Sequence, residues 1–121
     1  MAENKKSLKI AILDKASGYV CSGIVNAVAD RLKVDMVGTQ IGFYGTWPDG
    51  YDVYLIHLTD VDIEDLEKLR EFQPDKWIYG LYRGGDHNTE SARKIIDELL
   101  PVLTLNNCER IIHRALNGNR V

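Results

Sequence analysis

Cysteine is scarce in this chain, with only Cys21 and Cys108 among 121 residues. Two thiols so far apart exclude a zinc-knuckle spacing. Both are expected to be reduced and packed in or near the core. Long apolar runs are missing too: no stretch approaches the roughly 20 residues that span a bilayer. Near the start, Asp14 and Lys15 break the first apolar run, which excludes a signal-peptide pattern. The expectation is a cytoplasmic domain without membrane contact. Positive charge is also in short supply, 15 Lys and Arg against 18 Asp and Glu, net −3. With no basic field to hold phosphates, direct nucleic-acid binding is not expected. Walker and dinucleotide glycine fingerprints are absent. No Ser–His–Asp or Cys–His set can be assembled, because His57, His87 and His113 fall on different predicted elements.

What remains is a chain with 45% hydrophobic residues, enough for one core and too few for two. Residues 1–7 read as a polar tail and residues 8–118 as a single domain. Leu8 to Asp14 is a short apolar run of buried-strand type. Val20, Ile24, Val28 and Leu32 predict a helix, and Val34 to Thr39 a second strand. Residues 40–51 hold Gly42, Gly45, Pro48 and Gly50 and break any helix. Asp52 to Leu58 predicts a central strand. Asp62 to Phe72 predicts a helix, with Thr59, Asp60 or Asp62 as its N-cap. Lys76 to Tyr82 reads as another strand. A helix then follows from Asn88 or Thr89, with a stripe at Ala92, Ile95, Ile96, Leu99 and Leu100, and Pro101 stops it. Val102 to Leu105 reads as a short strand. Asn106 or Asn107 opens a last helix through Ile111, Ile112 and Leu116, ended by Asn117-Gly118. Strands alternating with helices predict an α/β fold, a three-layer αβα sandwich around a five-stranded, doubly wound parallel sheet. In such sheets ligands gather beyond the carboxyl ends of the strands.

The runs KIAILDKAS, DVYLIHLTDVD and KWIYGLY resemble three strand ends of response-regulator receiver domains. The resemblance implies a flavodoxin-like fold with strand order 2-1-3-4-5. In that family two acids at the first strand end hold Mg²⁺, and an Asp ending the third strand takes a phosphoryl group. A fourth-strand Thr or Ser and a fifth-strand Lys read it out. Carried onto this chain, Asp14 matches the first acid and Lys15 stands where the second would be. His57 falls at the acceptor, Gly80 or Leu81 at the hydroxyl, and Asn106 or a neighbour at the Lys. The family's second helix is replaced by the Gly- and aromatic-rich loop. A hard dication requires oxygen ligands, and one acid beside an ammonium is a poor Mg²⁺ site. The resemblance therefore implies a degenerate receiver that does not use aspartyl phosphorylation.

Three functional readings follow. The first is a signalling domain working by protein–protein contact, a homodimer among the options, with no cofactor, no metal and no catalytic residue. Its contact residues would be Phe43, Tyr44, Trp47, Tyr82 and Arg83. The loop around the first three packs four aromatics into a short Gly-rich stretch, which suits a partner, a planar ligand or an inward-folded lid. The second reading is a flavin or nucleotide binder, its site running from Asp14 through Ser17 to Ser22, the aromatic loop and Arg83 to Asp86. The third is an enzyme with Asp14, His57 and Asp60 around one pocket and His57 as acid or base.

Overall fold

The computed structural model describes residues 7–42, 46–82 and 89–118. Strand β1 (Ser7–Leu13) leads into helix α1 (Gly18–Leu32), and β2 (Asp35–Gln40) follows. After the loop come β3 (Val53–His57), a 3₁₀ turn (Leu58–Asp60), α2 (Ile63–Phe72) and β4 (Trp77–Leu81). A short α3 (Thr89–Ala92), β5 (Glu98–Leu100) and α4 (Leu105–Leu116) complete the order. All ladders are parallel and the sheet order is β2-β1-β3-β4-β5, as expected. The tail expected over residues 1–7 lies outside the described residues except for Ser7, which already pairs with Asp35.

Alternation along the buried strands divides the core into two layers. Ile10, Ile12, Val53, Leu55, Tyr79 and Leu81 face one side and pack with α1 and α4. Ala11, Leu13, Tyr54, Ile56 and Ile78 face the other and pack with α2 and α3. Close approach of α1 to β2 depends on Gly38, where a Cβ would come within 2.9 Å of Val25 Cβ. At that spot Ser22 Oγ also donates to Gly38 O at 3.0 Å.

The inward face of α1 differs from the expected row. Gly18, Cys21, Val25, Val28 and Ala29 are buried, whereas Val20 is 63% exposed. Strict steps of four overshoot a turn by about 40° each, so the Val20–Leu32 row winds across the helix surface instead of following the core.

The largest departure lies between β4 and α4. The helix expected over 88–100 ends at Ala92, and the strand expected at 102–105 is found at Glu98–Leu100. Two-sided burial explains it: Leu99 packs in one layer and Leu100 in the other, as a strand demands and a helical stripe does not. Asp97 fixes the switch. Its Oδ2 accepts from Ile78 N at 2.8 Å and Arg70 Nη2 at 2.9 Å, and its own N–H donates to Ile78 O at 2.7 Å. The apolar spacing at 92–100 fits either element; the acid inside it decides. Helix α4 in turn is opened by Thr104 rather than Asn106 or Asn107. Thr104 Oγ1 accepts from Asn107 N at 3.1 Å while Asn107 Oδ1 accepts from Thr104 N at 2.8 Å, a capping box.

Candidate functional site at the carboxyl edge of the sheet

One row of residues crosses the carboxyl edge. Leu13 lies opposite Ile56, so the next residues, Asp14 and His57, emerge side by side. His57 pairs with Leu81, and Leu81 with Leu100. Strand alternation turns this row toward the α1 and α4 layer, where Leu81 and Leu100 are buried. Asp14 and His57 are the polar members, 3% and 6% exposed.

The Asp14 carboxylate is engaged by its own loop. Oδ1 accepts from Ala16 N at 3.1 Å and Ser17 N at 2.9 Å, and Oδ2 lies 4.0 Å from Cys21 Sγ. Ser17 is the N-cap residue of α1 without a side-chain cap bond. Lys15 is exposed, and its backbone N–H donates to Asp60 Oδ2 at 2.9 Å. Asp60 thus clamps the β1–α1 loop, while Asp62 occupies the N-cap position of α2 with no side-chain cap bond. His57 Nδ1 faces Thr59, 2.5 Å from Oγ1 and 3.4 Å from the backbone N–H. The Thr59 backbone N–H donates to Nδ1, and the other ring nitrogen is Nε2. That Nε2 is buried and, among the described residues, has no hydrogen-bond partner.

Asp14, Ser17 and His57 line one cavity of about 100 Å³, walled by Val20, Cys21 and Ile24 of α1, Leu81, and residues 101–103 beyond β5. Asp60 is not part of its lining, so the three-residue cluster of the enzyme reading is reduced to two. The fit to a magnesium ion fails on donors. Asp14 Oδ1 is committed to two backbone N–H groups, a lysine follows it, and among the described residues no three His, Cys, Asp or Glu side chains converge. A flavin fares no better here, because pockets for such ligands run to several hundred Å³.

Other expected positions need correction. Asn106 is an exposed residue in the first turn of α4, and the end of β5 is Leu100, with Pro101 after it. Mistaking 98–100 for helix displaced that assignment. Gly80 lies one residue before the edge row, where a Cβ would come within 2.7 Å of Ile96 Cδ1, so Leu81 holds the edge position. Trp47 is buried rather than presented to a partner: its Nε1 donates to Asp65 O at 2.8 Å. Tyr82 is half-buried against the α2 layer, and its N–H donates to Leu100 O at 2.9 Å. Phe43, Tyr44 and Arg83 lie outside the described residues. Sequence reasoning missed two exposed apolar residues of the cavity wall, Val20 and Val102, and the exposed Tyr19 and Leu105. The signal for two of them was present in Pro101, which marks a strand end as readily as a helix stop.

Neither cysteine is in a disulfide, and both are buried in the layer that holds α1 and α4. Burial, and secondarily the neighbouring Cys21, pushes the Cys108 thiol from its ordinary 9.0 up to about 12. Burial likewise raises Tyr54 from 10.0 to about 12. Both acids stay neutral in the folded chain while the unfolded chain ionises, so stability is complete below about pH 9 and falls as pH climbs toward 12. Each group contributes at most about 1.4 kcal/mol per pH unit. Urea midpoints should be level from pH 7 to 8.5 and decline steadily above about pH 9; a level profile through pH 11 would contradict the burial of both groups.

These features define the receiver fold: a 2-1-3-4-5 parallel sheet with its polar row at the carboxyl edge. Solved structures carry the same architecture. A response-regulator receiver domain protein from Clostridium thermocellum superimposes with a TM-score of 0.70 at 12% identity, over 91% of this chain and 94% of that one. A CheY-like receiver domain from Methylobacillus flagellatus gives 0.70 at 12% identity, over 91% and 99%. One from Methanospirillum hungatei gives 0.64 at 13% identity, over 93% and 95%. At such identities the likeness is one of fold. No protein-family model matches the sequence, and no curated protein matches it.

Proposed function

We propose that this domain is a receiver-fold signalling module whose output does not depend on phosphorylating an aspartate at the end of β3. The observation that carries the reading is His57. The edge position next to Asp14 holds a buried imidazole whose Nδ1 is engaged by Thr59. Among the described residues, donors suited to a divalent ion do not gather around it, and phosphoryl transfer without a counterion leaves the developing charge unstabilised. The fold likeness to receiver domains supports a role in signalling. The exposed Tyr19, Val20, Val102 and Leu105 support transmission by protein contact, with a second copy of this chain among the candidate partners.

Incubation with Mg²⁺ and acetyl phosphate, followed by intact-mass measurement, tests the reading. The expected result is an unchanged mass. A stoichiometric, hydroxylamine-labile phosphoryl adduct would overturn it.

A further inference from the structure

The sheet is unguarded along its β2 side. Strand β2 ends the sheet order and, among the described residues, pairs with β1 alone. Ile41 N donates to Ile12 O at 2.8 Å, so by strand alternation the N–H and C=O groups of Asp35, Val37 and Thr39 turn toward β1. Those of Met36, Gly38 and Gln40 turn outward. Edge strands are ordinarily blunted by lysine, proline or a bulge. Residues 35–40 hold no lysine or proline, Asp35 is their one charge, and the register with β1 runs without a break. Val37 is 50% exposed on the face opposite α1, where no helix follows β2 among the described residues.

Helix α1 continues this surface. Ser22 Oγ donates to Gly38 O at 3.0 Å, which brings one side of α1 to the edge. Tyr19, Ser22, Gly23, Asn26 and Asp30 share that side at helical spacing, away from Arg31, which pairs with Glu109 of α4. Tyr19 is 86% exposed, and Gly23, Asn26 and Asp30 are exposed as well. Although 27% of the chain is charged, no charged residue occurs from Gly18 to Ala29. Lys15 and Asp30, both exposed, bound this neutral stretch with opposite signs, and the Ser22–Gly23 step lies midway between them. Such a surface is complementary to itself when turned end for end.

We propose that two copies of this chain join through β2 and α1 about a two-fold axis at Gly38, perpendicular to the sheet. Strand β2 then pairs antiparallel with β2 of the second copy. Gly38 faces Gly38 and Met36 faces Gln40, so the outward N–H and C=O groups close into one continuous sheet. Gly38 O keeps a second lone pair for this beside the Ser22 hydroxyl. Val37 meets Thr39 of the second copy on the face without α1. On the other face the two α1 helices run antiparallel. Ser22 and Gly23 at their crossing leave room for the roughly 8–10 Å approach of packed helices. Tyr19 covers Asn26 of the second copy, and Lys15 pairs with Asp30 across the axis at both ends. The inference rests on the reading that the module works by protein contact, and names the surface and the partner.

Sedimentation velocity across the micromolar range, with amide hydrogen exchange on the same samples, tests the proposal. The expected result is a dimer that grows in with concentration. In it the amides of Met36, Gly38 and Gln40 should exchange about tenfold more slowly than in dilute protein. Those of Val37 and Thr39, already held by β1, should change little. Asp30→Lys and Lys15→Glu should each weaken self-association about tenfold. Mixed in equal amounts, these two variants should pair with each other, because every charge contact across the axis again joins opposite signs. A monomer at every concentration, a dimer that leaves the three amides unprotected, or a mixture that associates no better than either variant alone would overturn the proposal. Slow exchange at those amides without a doubled mass would overturn it too, since a segment of the same chain would then cover the edge. The acetyl phosphate experiment on the same samples separates the failures. A phosphoryl adduct removes the phosphorylation-independent reading whether or not the dimer stands, whereas a monomer that takes no phosphoryl group removes the dimer alone.

Discussion

Replacing Arg70 with alanine should lower the unfolding free energy by about 3–5 kcal/mol, the cost of stripping one partner from a buried ion pair. The guanidinium is 17% exposed and the Asp97 carboxylate 7%. Its nitrogens tie α2 to the segment between α3 and β5 and to the entry of β4. Nε donates to Ile95 O at 2.9 Å, Nη1 to Lys76 O at 2.9 Å, and Nη2 to Asp97 Oδ2 at 2.9 Å. Asp97 meanwhile accepts from Ile78 N at 2.8 Å. Alanine would leave a buried carboxylate without this counterion and three carbonyls, those of Ile95, Lys76 and Gln73, without this donor. Arg70→Lys should recover little, because an ammonium cannot reproduce the planar fork. Arg70→Met combined with Asp97→Leu should lose less than Arg70→Ala, since removing both charges also removes the desolvation cost. Urea unfolding of the four proteins measures this. A loss below about 1 kcal/mol for Arg70→Ala, the range of exposed pairs, would mean that the cluster is not closed in solution.

Asp97 also marks the limit of what could be read from the sequence. Strands β1, β3 and β4 were legible because a parallel strand buried on both faces needs an apolar run, and IAIL, VYLI and WIYGL are such runs. The sheet order followed from the receiver resemblance and is observed. Asp14 and His57 were legible as neighbours, because both end apolar runs that the topology sets side by side. Residues 92–100 were not. Ala92, Ile95, Ile96, Leu99 and Leu100 satisfy helical spacing, and only the tertiary contacts of Asp97 with Arg70 and Ile78 force the chain out of it. That single misreading moved the fifth strand end from Leu100 to Asn106 and hid the wall of the cavity that residues 101–103 supply. The contact of Thr59 with His57 Nδ1 was likewise beyond the sequence, since it depends on how the ring is turned at the end of β3.

The second large effect is expected at Trp47. Trp47→Ala should cost about 3–5 kcal/mol, the range for truncating a buried aromatic. Only 9% of the residue is exposed, and its ring stands edge-on to Tyr54 at 6.5 Å. Tyr54 in turn donates its hydroxyl to Pro48 O and accepts from Gln73 Nε2 at 3.4 Å, and that same Nε2 donates to Asp49 Oδ1 at 2.9 Å. Trp47 is thus the hydrophobic anchor of a cover laid over the α2 side of the sheet. No helix is found between β2 and β3 among the described residues. Trp47→Phe should keep most of the packing and lose about 1 kcal/mol with the bond to Asp65 O. The graded pair matters, because a partner-binding tryptophan predicts the reverse: little change in the urea midpoint for either variant, with the deficit appearing only in an interaction assay. A midpoint for Trp47→Ala within about 0.5 kcal/mol of wild type, the range of ordinary surface substitutions, would reassign Trp47 from the interior to the interface.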